Sequence, residues 1–202
     1  MKKGKLFVFS GPSGTGKGTI CRRLLEDPDT WLSVSLTTRA PREGEQHGVH
    51  YFFVTREEYD RTVAEDGFLE HAEIYGNCYG TPKKYALEHM AKGEDVILEI
   101  EMQGALQVKA AYPDAVLIFV LPPSLAELRS RIRGRGTESD EQIDLRMKTT
   151  LAEIELLPKY DYFLINDDLE EAVETAHSII RAEHCKTAGY AKTLIDRYKE
   201  EK

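Results

Sequence analysis

The sequence predicts an α/β protein built on a parallel sheet flanked by helices, with a small mixed α/β insert and a short helical lid. Three observations carry this. Compact apolar runs at 5–9, 96–100, 115–121 and 162–165 have the unbroken hydrophobicity of strands covered on both faces. Each is followed by a segment of helical length and period, at 17–26, about 104–111, 125–133 and 170–183. Two polar, turn-rich stretches break this strand–helix rhythm, which is otherwise that of a doubly wound sheet.

The first interruption, about 33–92, contains alternating runs such as 50–54, which predict a small antiparallel sheet, together with two helices. One of those helices opens on the capping box Thr55-Arg56-Glu57-Glu58. The second, about 134–148, begins with Gly134-Arg135-Gly136 and restarts a helix at Ser139-Asp140-Glu141-Gln142, a second capping box. Glycines there let a short lid hinge. The expected organisation is one domain over 1–202, with a core of about 1–32, 93–133 and 149–185 and a charged tail at 186–202.

Composition narrows the possible partners. With 41% hydrophobic and 31% charged residues, the chain reads as an ordinary globular protein. Its 27 Lys and Arg against 35 Asp and Glu leave a net charge of −8, which argues against a broad basic field for nucleic acid. An anionic ligand must therefore be held by local clusters of cations. Cys21, Cys78 and Cys185 are odd in number and widely spaced, which suits neither a disulfide framework nor a zinc site and suggests a reducing compartment. No run approaches the roughly 20 apolar residues of a membrane span, so a cytoplasmic, unanchored protein is expected.

Between the first strand and first helix stands Ser10-Gly11-Pro12-Ser13-Gly14-Thr15-Gly16-Lys17-Gly18-Thr19. Gly11, Gly16 and Lys17 satisfy G-x-x-x-x-G-K, in which backbone N–H groups converge on phosphate oxygens and the lysine neutralises their charge. The next position, where a Ser or Thr hydroxyl would help to hold magnesium, is Gly18, and Thr19 supplies a hydroxyl one residue later. This Gly-Lys-Gly-Thr variant is similar to the loops of adenylate-kinase-like proteins. The loop implies nucleoside triphosphate binding and leaves the phosphate acceptor open.

The run Thr37-Thr38-Arg39-Ala40-Pro41-Arg42-Glu43-Gly44-Glu45, continuing to Tyr51-Phe52-Phe53, closely resembles the guanylate kinases. The likeness extends through 68–72, 76–81, 134–137 and 166–168 and covers essentially residues 6–183. It implies that 33–92 is a GMP-binding insert and 134–148 a lid. Arg39 and Arg42 can hold a monophosphate by charge-assisted, partly bidentate bonds, and Tyr51 and Tyr79 can add phenolic donors. Guanine presents two adjacent N–H donors beside an acceptor, so a selective site wants a carboxylate next to a hydroxyl. The resemblance assigns these to Glu70 and to Ser35 and Thr81. It further implies that Glu101, in the Glu99-Ile100-Glu101 run, borders GMP. Arg131, Arg135 and Arg146 become closing cations and Asn166 the contact to the ATP base. Asp167 and Asp168 read as helix caps.

The implied activity is transfer of a phosphoryl group from MgATP to GMP or dGMP, with Lys17, Arg39, Arg131, Arg135 and Arg146 neutralising charge. Gly11 to Thr19 would bind ATP, and magnesium would be held mainly through the ATP phosphates, with Thr19 its candidate protein ligand. Three alternatives stay open. These are a monophosphate kinase of other base specificity, a catalytically silent binding module of the same fold, and a plain NTPase switch.

Overall fold

A computed structural model describes residues 3–74, 76–134 and 139–201. Five parallel strands form the central sheet: β1 (Leu6–Ser10), β2 (Thr30–Leu32), β7 (Asp95–Glu99), β8 (Val116–Leu121) and β9 (Tyr162–Ile165), in the order β2-β7-β1-β8-β9. Four of these are the apolar runs of the sequence. The fifth, β2, is a three-residue edge strand of half-buried residues, too short and too little alternating to stand out by pattern.

Alternation along β1 divides the core in two. Phe7 and Phe9 face α1 (Lys17–Leu24) and α7 (Leu169–His184), packing with Ile20, Leu24, Val173, Ala176 and Ile180. Leu6 and Val8 face the other layer, made by α3 (Lys83–Lys92) and α4 (Met102–Ala111), and pack with Ala86, Met90, Ala105 and Val108. Each fully buried side chain of this kind contributes about 1.5–3 kcal/mol. Asp168 caps α7 by accepting from the Glu171 N–H at 3.0 Å, as its position in the sequence suggested.

Four further strands form a second sheet, β4-β3-β6-β5, from β3 (Leu36–Thr37), β4 (Phe52–Phe53), β5 (Phe68–Ile74) and β6 (Asn77–Pro82). The expectation of an antiparallel sheet needs correction. β3 pairs antiparallel with β6 and β5 with β6, but β3 and β4 run parallel, because the 14-residue connection between Thr37 and Phe52 (38–51) returns the chain in the same direction. Leu69 of β5 enters the α3/α4 layer and anchors this sheet to the main core. α2 (Arg56–Ala64) has the capping box in place, Thr55 accepting from Glu58 N–H and Glu58 from Thr55 N–H. Cys78 is buried with Tyr59 and Phe68, a packing position.

α5 (Leu125–Gly134) and α6 (Asp140–Ile154) pack through Leu128, Ile132, Ile143 and Met147. Arg129 pairs with Asp144 and Arg133 with Asp140, so these arginines tie one helix to the other. α8 (Ala191–Glu200) follows α7 and buries none of its residues. No helix of the described residues is long and apolar enough to cross a membrane.

At the amino end of the sheet Asp95, 2% exposed, accepts from the Lys5 N–H at 2.9 Å and from His184 Nε2 at 2.7 Å. It thereby joins β7 to β1 and to the end of α7. Asp95→Ala is expected to lower the unfolding free energy by about 2 kcal/mol, because it strands buried donors. Urea unfolding unchanged from wild type would refute that role.

Candidate active site

The loop after β1 opens at the carboxyl end of the parallel strands, where ligands of open α/β sheets bind. Gly16 is the N-cap of α1 with φ 89°, and a Cβ there would lie 2.2 Å from the Asn166 amide. Only glycine fits both the left-handed backbone and that approach. Asn166 Nδ2 donates to the Thr15 carbonyl at 2.7 Å, and Thr15 Oγ1 donates to the Pro12 carbonyl at 3.0 Å. Asn166 is buried and braces the loop from behind. Lys17 lies over the loop, donating from Nζ to the carbonyls of Gly11 at 2.6 Å and Pro12 at 2.9 Å. Desolvation lowers its pKa, while Glu99, Glu153 and Glu101 pull it back up.

A cavity of about 400 Å³ lies over this loop, lined by Gly11, Ser13, Gly14, Gly16, Lys17, Gly18, Thr19 and Arg22, with Glu99, Glu101 and Glu153 on its acidic side. Gly18 faces Glu99: a Cβ at position 18 would stand 3.1 Å from both carboxylate oxygens. The departure from Ser or Thr at this position thus makes room for an acid on the next strand. Arg22 Nη2 donates to Thr19 Oγ1 at 3.4 Å.

A second cavity, of about 610 Å³, is lined by Ser35, Tyr51, Glu70 and Tyr79 from the second sheet and its approach and by Glu101 to Gly104 from the start of α4. Thr149, Ala152, Glu153 and Leu156 close a third side. The two cavities share Glu99, Ile100, Glu101, Met102 and Glu153 as a common wall. Glu70 and Thr81 are register partners on β5 and β6, and Thr81 Oγ1 donates to Glu70 Oε1 at 2.6 Å. Burial raises the Glu70 pKa, against the opposing pull of the Thr81 hydroxyl. Thr81 itself is fully buried and supports Glu70 without lining the cavity.

The cationic residues are dispersed around these cavities. Arg39 forms a two-oxygen pair with Glu45, at 2.8 and 3.0 Å, and stands 5.6 Å from the centre of the Tyr51 ring. Hydrogen bonding to Glu45 raises its pKa. Arg42 is exposed, tied to Glu45 through its backbone, its N–H donating to the carboxylate at 2.7 Å and its carbonyl accepting from the Glu45 N–H at 3.0 Å, and it does not line the cavity. Arg131, on α5, donates to the Asn166 carbonyl at 3.0 Å and to Glu127 at 2.9 Å. Arg146, on α6, donates to Ser13 Oγ at 3.3 Å, reaching the loop from the other helix. Arg135 lies outside the described residues.

Glu45 and Glu153 are among the residues of this site that sequence motifs leave unmarked. Glu45 was visible as an acid within the 37–53 run, but nothing in its spacing marked it as the partner of Arg39. Glu153 lies seven residues after Arg146 and four after Thr149, one helical face by period, and that signal was available.

The glycine-rich turn between a buried parallel strand and a helix, with its lysine over the loop, places the chain in the P-loop class of nucleotide-binding proteins. Comparison with known proteins narrows that class. The sequence model of the guanylate kinase family matches residues 3–183. A guanylate kinase of Clostridium acetobutylicum is 53% identical over 195 residues, 96% of this chain and 93% of its own length. That of Clostridioides difficile is 50% identical over 202 residues, covering 100% of this chain and 98% of itself. The crystal structure of guanylate kinase from Anaplasma phagocytophilum superposes with a TM-score of 0.76 at 36% identity, covering 98% of this chain and 96% of that one. The chain belongs to the guanylate kinase family.

Burial raises the Glu70 pKa, so the folded chain holds that proton more tightly than the unfolded chain, and stability is lost as pH rises through the folded value. Wild type should therefore lose stability relative to Glu70→Gln as pH rises above the ordinary glutamate value of 4.5. Urea unfolding at several pH values checks this, and a gap that does not change with pH would contradict it.

Proposed function

We infer that this member of the guanylate kinase family transfers the γ-phosphoryl group of ATP to GMP, giving ADP and GDP. The observation that carries the reading is the common wall: a cavity over a phosphate-binding loop and a second cavity containing a buried carboxylate–hydroxyl pair meet at Glu99 to Met102 and Glu153. ATP occupies the first with its phosphates on residues 11–19, and GMP the second, so the reacting phosphates meet at the wall. dGMP serves as a second acceptor, since the proposed contacts are to the guanine base and the phosphate. The second sheet with α2 acts as the GMP-binding insert, and the region of 134–148 with α6 as the lid.

A GMP phosphate oxygen attacks the γ-phosphorus, the new P–O bond forms, and the bond to the bridging oxygen breaks, with ADP leaving as the anion. The nucleophile is already anionic, so alignment and charge neutralisation dominate over acid–base chemistry. Lys17 leaves the Gly11 and Pro12 carbonyls for the phosphates. Arg39, shared at present with Glu45, and Arg42 take the GMP phosphate, with Tyr51 and Tyr79 adding donors. Glu70, backed by Thr81 and beside Ser35, reads the two guanine donors, and Glu101 borders the same cavity. Arg131, Arg135 and Arg146 close over the transferred group and exclude water. Asn166 braces the loop and lies on the ATP-base side.

Among the described residues no group of three or more acidic, histidine or cysteine side chains is placed to hold a metal, but Thr19 and Glu99 beside the phosphate loop are hard oxygens of the kind that suit magnesium. Thr19 and Glu99 are the residues that would hold the ion or its waters beside the ATP phosphates. Bound there, magnesium neutralises phosphate charge. A cytoplasmic location is part of the same proposal.

Formation of ADP from MgATP should occur with GMP and dGMP and not with AMP, UMP or TMP. Equal turnover with AMP would sink the base assignment. A folded protein that binds GMP but turns over no acceptor would favour a silent binding module. Lys17→Ala should lower kcat by about 100-fold or more with an unchanged circular dichroism spectrum, and near-normal turnover would remove Lys17 from the mechanism.

A further inference from the structure

Glycine is a poor residue inside a helix, and alanine the best. α4 nevertheless carries Gly104, buried, as its third residue. A Cβ on Gly104 would stand 2.9 Å from Glu70 Oε2, 3.3 Å from Glu70 Cδ and 3.4 Å from Glu70 Cγ. The first distance is below what packed carbon and oxygen atoms tolerate, so the whole carboxyl group would have to move.

Glu70 has little freedom to do so quietly. It is 8% exposed, and its other oxygen is held by Thr81 at 2.6 Å. The Glu70 carboxyl group therefore lies between a hydroxyl on β6 and the bare first turn of α4, whose N-terminal end also favours negative charge. Glu70 and Gly104 both line the larger cavity.

We propose that Gly104 is a positioning residue for base recognition: its missing side chain lets the Glu70 carboxylate sit against α4, and so sets selectivity for guanine over adenine. This rests on the reading of Glu70 as the residue that pairs with the two guanine donors. A carboxylate is the far end of a flexible side chain, so the backbone need not move with it, and the cost to the fold is limited to the contact with Thr81. Recognition suffers more, because two N–H donors need both oxygens in place.

The test is a double-mutant cycle on the full chain with Gly104→Ala, Glu70→Ala and the two together. Calorimetric binding of GMP, AMP and ATP and thermal unfolding are the readouts. Gly104→Ala is expected to weaken GMP about tenfold, to lower the GMP-to-AMP affinity ratio and to leave ATP affinity unchanged. In the Glu70→Ala background the same substitution should cost no further GMP affinity and should raise the melting temperature, since only the better helix former remains. An unchanged GMP-to-AMP ratio in Gly104→Ala overturns the proposal, as does an equal loss of GMP affinity in both backgrounds. A Gly104→Ala protein that fails to fold in both backgrounds also overturns it, because the obstructed group would then be something other than Glu70. If wild type itself fails to prefer GMP over AMP, the guanine reading of Glu70 fails instead.

Discussion

A parallel sheet covered by helices on both faces offers a ligand little besides the ends of its strands. In this chain that constraint organises the phosphate-loop half of the site. The phosphate loop leaves β1, Glu99 to Met102 leave β7, and Asn166 leaves β9, all at the same edge. Because β1 is central, between β7 and β8, its loop receives support from both sides. Glu99 faces Gly18, and Asn166 holds the Thr15 carbonyl.

Charge follows from that geometry. The chain is acidic as a whole, and the wall between the two cavities is acidic as well, with Glu99, Glu101 and Glu153 around Lys17. Its cations are engaged elsewhere: Lys17 on its own loop, Arg39 on Glu45, Arg131 on the Asn166 carbonyl, with Arg146 touching Ser13. The carbonyls and the hydroxyl are neutral acceptors, weaker partners than a phosphate for an ammonium or guanidinium, whereas the Arg39–Glu45 pair is itself charge-assisted and must be exchanged for the phosphate. The arrangement keeps these cations close to the two cavities.

The carboxylates are placed by what lies beside them. Glu99 and Glu70 each abut a glycine, Gly18 and Gly104, where a Cβ would stand 3.1 and 2.9 Å from a carboxylate oxygen. Two backbone positions with no side chain thus help to locate two acids that the chain separates from them by tens of residues. Glu70 is further fixed by a hydroxyl on the neighbouring strand, in register across β5 and β6.

Much of this was legible in the sequence, because periodicity and local motifs are themselves local. Continuous apolar runs located four of the five parallel strands, the capping boxes located the starts of α2 and α6, and the glycine–lysine spacing located the loop. The run from Thr37 to Phe53 carried the family. What pattern could not supply was anything set by partners distant in the chain. The half-buried β2 is a strand only because β7 pairs with it, and β4 runs parallel to β3 because of how the intervening loop returns. The engagement of Arg39 by Glu45, the joining of the two cavities at Glu99 to Met102, the entry of Glu153 into that wall and the approach of Glu70 to Gly104 are likewise products of packing. Local sequence determined the elements, the loop and the family; the tertiary structure alone decided which charges face one another, since an interaction between residues far apart in the chain exists only once the core has brought them together.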